Sequence, residues 1–185
     1  MERHFDASLR QLKERLTAMA ALAEDAIDVS ARMLQKKDTA LVSQVFETEE
    51  KINEAQKAVD EACLKQLALQ QPLANDLRLV VAVLRINTDL ERIGDQAVNI
   101  ALNSERYLKG PPLKPLQDLP IMVDEARHMV REAIDSFVQG SEATAREVLK
   151  RDDKVDALKG QIFRDVIEHM KATPALIEQG LCLIL

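Results

Sequence analysis

The chain has 185 residues, 46% of them hydrophobic and 30% charged, with a formal net charge of -6. This is the composition of a soluble folded protein of one domain or two small ones, not of a disordered chain. No basic stripe is present to neutralise phosphates, which excludes non-specific nucleic-acid binding. Aromatic residues are 3% with no Trp, and Gly and Pro number only 5 and 6. So few turn-forming and aromatic residues disfavour a β-sandwich or barrel, and the expected fold is all-α with few, long elements.

From Leu9 an apolar or small residue recurs at spacings of three and four, through Leu12, Leu16, Met19, Ala23, Ala26, Ser30 and Met33. That spacing predicts one long amphipathic helix. A second helix is expected from about Ala40 to Gln70, with Val45, Ile52 and Val59 seven apart, ending before the Gln71-Pro72 step. A third starts near Asn75, a residue suited to a cap, and carries the seam Leu79, Val83, Ile86, Leu90, Ile93, Ala97 and Ile100. Gly110, Pro111, Pro112 and Pro115 form the one obvious linker, near 109–115.

Beyond the linker the pattern restarts. A shift of 103 residues carries Val45 onto Val148, Glu49 onto Asp152, Lys51 onto Lys154, Ile52 onto Val155 and Val59 onto Ile162. It also carries Ile27 onto Val130, Ala31 onto Ile134 and Leu34 onto Phe137. One ungapped shift that matches charges as well as apolar positions marks an internal repeat, whose units share one core. The expected organisation is a three-helix repeat over 1–108 and a second over 116–185, cut short early in its third helix. Leu185 corresponds to Ala82, and the uncapped apolar run Leu181-Cys182-Leu183-Ile184-Leu185 would be a sticky surface, so the natural protein is expected to continue.

Chemistry concentrates in the third helix. Asp89-Leu90-Glu91-Arg92-Ile93-Gly94-Asp95 places Glu91 and Asp95 at i and i+4, on one face. They lie on a second stripe with Leu84 and Thr88 before them and Val98 and Leu102 after. Like charges at this spacing repel unless a cation bridges them, and hard oxygen donors suit magnesium, manganese, calcium or iron rather than thiolate-type zinc. Gly94 removes bulk beside the pair and points to close approach by another element. Glu49 falls on the seam of the second helix and Asp152 on that of the fifth, with Asn53 and Asp156 four residues on, giving each repeat another oxygen pair. Pairing of Glu91 and Asp95 with Arg92 and Arg85 is the competing account, as is a Lys or Arg from a neighbouring helix for Glu49 and Asp152.

Other cues are weaker. Glu125-Ala126-Arg127-His128 has the Glu-x-x-His spacing of di-iron bundles, but that fold needs two such motifs and only one occurs, so a surface pair is expected. His4 sits at a fraying terminus, and His169 closes the fifth helix near Lys171. Cys63 and Cys182 have no CxxC spacing and read as core thiols of a reducing compartment. The start of the chain lacks an apolar signal segment and no run approaches about 18 apolar residues, so the expected location is the cytoplasm. No activated nucleophile and no Gly-rich phosphate loop stands out, and no enzyme activity is expected.

The residues Val59-Asp60-Glu61-Ala62-Cys63, then Gln71-Pro72-Leu73-Ala74-Asn75-Asp76-Leu77-Arg78-Leu79, and above all Asp89 to Asp95 followed by Asn99-Ile100, resemble the PhoU-type phosphate-signalling regulators. The resemblance covers nearly the whole chain. It implies two pseudo-symmetric three-helix bundles, and a Glu/Asp-x-x-x-Asp metal motif in each repeat, with Glu91 and Asp95 carrying the first. The second motif would fall at 194 and 198, past the last residue. It further implies divalent or multinuclear metal (iron, magnesium, manganese or zinc) in some members and none in others. The implied role is negative regulation of phosphate uptake through contacts with the ATPase subunit of a phosphate ABC transporter and with a membrane sensor histidine kinase that responds to phosphate. A homodimer or higher homo-oligomer is expected, with any membrane contact made through those partners. The alternatives are a metal-free helical adaptor and a di-iron carboxylate enzyme.

Overall fold

The computed structural model describes residues 2–113 and 117–184; Met1, Pro115, Leu185 and the side chain of His4 lie outside the described residues. Helix α1 spans Glu2–Lys36, α2 Leu41–Gln70, α3 Asn75–Leu108, α4 Asp118–Gln139, α5 Glu142–Ala172 and α6 Ile177–Ile184, with a short 3-10 turn at Pro174–Leu176 before α6. No strand occurs among the described residues. None of their helices is long and apolar enough to cross a membrane.

The first three helices form an antiparallel bundle because their apolar stripes are long enough to cover one another. All seven residues of the α1 seam from Leu12 to Met33 are buried, as are Val45, Ile52 and Val59 of α2. Helix α3 departs from expectation. Its buried line is Val80, Val83, Asn87, Leu90, Gly94, Ala97, Ala101 and Ser104, while Ile86 and Ile93 are half-buried flanks and Ile100 is 44% exposed. Asn75 is the first helical residue rather than a cap; the cap position belongs to Ala74, which has a positive φ of 48° and makes no side-chain capping bond.

The 103-residue repeat is visible in the backbone. Lys37 ends α1 in the left-handed region at φ 55°, and 103 residues later Gly140 ends α4 at φ 69°. That conformation favours glycine, so the lysine bears the strain in the first repeat. An oxygen follows each of these residues: Asp38 Oδ1 accepts from the Ala40 N–H at 3.0 Å, and Ser141 Oγ accepts from the Thr144 N–H at 3.3 Å. Helix α6 begins one residue before the counterpart of the α3 start.

The two repeats are joined along α1. Helix α4 runs antiparallel to it, with Arg131 Nη2 on Glu24 Oε2 at 2.5 Å, Arg127 Nη1 on Asp28 Oδ1 at 2.8 Å and Lys13 Nζ donating to the Val138 carbonyl at 2.9 Å. Ile134 of α4 enters the main core, with Val130 and Phe137 packed beside it, so α1 buries two faces. Helix α6 rests on α3 and α5. A smaller core of Leu113, Ile162 and Val166 fills the second half. Tyr107 Oη accepts the Leu113 N–H at 3.0 Å and fastens the linker to α3.

Burial therefore ranks the apolar positions. Ile52 has no exposed surface, and Ile52→Ala should lower the free energy of unfolding by about 2 to 5 kcal/mol. Ile100→Ala, at a position 44% exposed, should lower it by less than about 1 kcal/mol. Chemical-denaturation midpoints of the two variants check this order, whereas an α3 seam through Ile100 would make the two losses comparable.

Candidate functional site

Helices α2 and α3 run antiparallel, and three contacts at successive levels fix their register. Asn87 Nδ2 donates to the Gln56 carbonyl at 3.0 Å and to Asp60 Oδ1 at 2.8 Å. Seven residues further along α3, a Cβ on Gly94 would lie 3.0 Å from Ile52 Cδ1, which explains why this helix interior has a glycine: the Ile52 side chain occupies the space. At the same end stand Glu49 and Asn53 of α2 and Glu91 and Asp95 of α3. Glu49, Asn53 and Glu91 are half-buried and Asp95 is exposed.

The acids interact electrostatically. Burial pushes the Glu91 carboxyl above its ordinary value, and the charges of Asp95 and Glu49 push it the same way, against a smaller opposing pull from Arg92. Neither Glu91 nor Asp95 forms an ion pair with Arg92 or Arg85; the arginine acts through space. Glu49 Oε1 accepts a hydrogen bond from Asn53 Nδ2 at 2.5 Å, so an amide rather than a Lys or Arg meets it. Among the described residues no three His, Cys, Asp or Glu side chains stand close enough together to hold one metal ion. The carboxylates share a face and a potential without converging on a point.

The other sequence candidates separate from this face. Asp152 and Asp156 are exposed on α5, and neither takes part in an ion pair or hydrogen bond among the described residues. Glu125 is bound to α5: Lys154 pairs with its Oε1 and Arg151 Nη1 lies on its Oε2 at 3.0 Å, which together hold its carboxyl below the usual range. His128 Nδ1 lies 2.7 Å from the Asp124 carbonyl, so the Glu125 and His128 side chains serve different contacts. Cys63 is a core thiol, pushed up to about 11 by burial and by Asp60. The residues missed from sequence are Asn87, Gln56 and Asp60; a seam drawn one residue over, through Val80 and Asn87, would have exposed the buried amide.

Because Glu91 is harder to ionise folded than unfolded, its charge weakens the fold at pH values above its raised titration point. Below the ordinary carboxylate range it is neutral in both states and the penalty vanishes. In metal-free buffer, Glu91→Gln should therefore raise the melting temperature at pH 7 and leave it unchanged near pH 3, and a pH series of thermal melts reads the difference.

A family model for the PhoU domain matches residues 16–103 and again 119–185, two matches whose starts are 103 residues apart. The sequence is 33% identical over 173 residues, 94% of this chain and 78% of the relative, to a protein of Aquifex aeolicus (strain VF5) described as phosphate-specific transport system accessory protein PhoU homolog. A relative of the same description from Pseudomonas putida is 31% identical over 185 residues, all of this chain and 72% of its own. The crystal structure of PhoU from Pseudomonas aeruginosa superposes with a TM-score of 0.91 at 30% identity, covering 97% of this chain and 87% of that one. That of the phosphate transport system regulatory protein PhoU from Streptococcus pneumoniae gives 0.89 at 24% identity, over 97% and 84% of the two chains, a likeness of fold.

Proposed function

The chain belongs to the PhoU family, and from that premise we propose that it is a cytoplasmic regulator of phosphate uptake that acts by binding and not by catalysis. Its partners in this reading are the ATPase subunit of a phosphate ABC transporter and a phosphate-sensing histidine kinase, to which it reports as a negative regulator. The observation that carries the reading is the description of relatives, about 30% identical over nearly all of this chain, as accessory proteins of the phosphate-specific transport system. A helical protein whose long surfaces are exposed on α2, α3 and α5 suits such a role, since partner contacts need area rather than an enclosed reaction site.

The acid face of α2 and α3 is proposed as the place where a divalent cation acts. Glu49, Glu91 and Asp95 would hold it through carboxylate oxygens, with Asn53 beside them, and the donor set fits a hard ion such as magnesium, manganese or iron. Mutual repulsion at Glu91 supports this, because a cation would relieve it. The ion would supply positive charge that lets the acids draw together. Asp152 and Asp156 form the counterpart pair on α5, and the second acid face in this proposal rests on them. A metal-free adaptor is the second reading, favoured by the lack of three convergent ligands among the described residues.

The regulatory reading predicts that the purified protein binds the purified transporter ATPase and the cytoplasmic part of the kinase in separate pull-downs. It also predicts no turnover of a phosphate ester. Retention of neither partner, or ester hydrolysis abolished by Glu91→Ala, would move the protein to another functional class.

A further inference from the structure

Hydropathy alone would turn Leu79, Ile86, Ile93 and Ile100 of α3 toward the core, yet the structure centres Val80, Asn87, Gly94 and Ala101, all buried. The two stripes share Val83, Leu90 and Ala97. They differ by a rotation of α3 about its own axis, roughly half of the 100° step between successive residues. The observed rotation buries an amide, a glycine and an alanine where isoleucines could have gone, so apolar burial opposes it.

Two side chains bear on the choice. Gly94 makes room for Ile52, which permits the rotation. Asn87 enforces it. The residue has no exposed surface and gives its amide N–H groups to two α2 acceptors, the Gln56 carbonyl at 3.0 Å and Asp60 Oδ1 at 2.8 Å. Turning α3 back toward its isoleucines would break both bonds inside the core. Its own Oδ1 is buried without a partner, so the residue is a poor choice for stability and a good one for selecting a single arrangement. Glu91 and Asp95 follow Asn87 by one and two turns on the flank that faces α2. The same rotation therefore turns them toward the α2 edge that carries Glu49 and Asn53.

We infer that Asn87 is the positioning residue of the acid face: by bonding to Gln56 and Asp60 it holds α3 rotated against its hydrophobic preference, so that Glu91 and Asp95 stand on the edge shared with Glu49 of α2. Its functional meaning rests on the cation proposal above. The rotation itself depends only on packing, so it can fail with cation binding intact, and cation binding can fail with the rotation intact.

Thiol labelling of the full chain reads the rotation. Single cysteines are placed at Ile100→Cys and Val98→Cys in a Cys182→Ser background, Cys63 being buried. Adding Asn87→Leu should slow labelling at position 100 at least tenfold, as the isoleucine stripe turns inward, and speed it at position 98 at least threefold. Asn87→Ala should move both rates in the same directions should the larger side chain fail to pack, and Asp60→Asn, which keeps an acceptor, should leave both within twofold. A merely structural role for Asn87 would speed labelling at both positions. That result in both Asn87 variants, or unchanged rates, would overturn the proposal.

Discussion

The close approach of α2 to α3 governs what this protein can present. At the level of Gly94 the two helices are separated by the thickness of one isoleucine side chain, with Ile52 Cδ1 only 3.0 Å from where any β-carbon would lie. Helices this near share side chains at their edges as well as at their centres. Glu49 and Asn53 of one helix and Glu91 and Asp95 of the other are such edge residues. At Glu91 burial and the charge of Asp95 on its own helix weigh most, and the close packing of α2 adds the smaller push of Glu49.

Around that contact the rest of the molecule acts as a brace. Helix α1 is buried on two sides, toward α2 and α3 through its apolar seam and toward α4 through Glu24 and Asp28. Glu24 is 8% exposed, a depth at which a carboxylate needs a partner, and Arg131 supplies it. The arginine is in turn held charged by that bond. Because Ile134 enters the core of the first three helices, the repeats form one body in which α4 fixes α1 and α1 fixes the α2–α3 pair.

Much of this was legible in the sequence, and the failures have physical reasons. The α1 seam and the α2 heptad were read correctly because on those helices the apolar side chains are also the buried ones. The 103-residue repeat was legible because its pattern included charges, and the backbone repeats it at Lys37 and Gly140. Helix α3 misled: two apolar stripes overlap, and the richer one is not central, because a hydrogen-bonded amide and a glycine took the middle. The second face of α1 was missed since its buried positions include alanines and a glutamate, which carry no hydrophobic signal. The pairing of Glu91 with Asp95 was visible from spacing, but its connection to Glu49 needed the register that Asn87 and Ile52 impose.

The proposed cation site lies on the shared edge of α2 and α3, and calorimetric titration of Mn2+ into metal-free protein tests it most directly. The wild-type chain is predicted to bind Mn2+ at this edge, with Glu49→Gln and Asp95→Asn, from different helices, each weakening that binding by roughly tenfold or more. Binding that neither substitution alters, or no binding by the wild-type chain, would contradict the claim that these two helices build a single site.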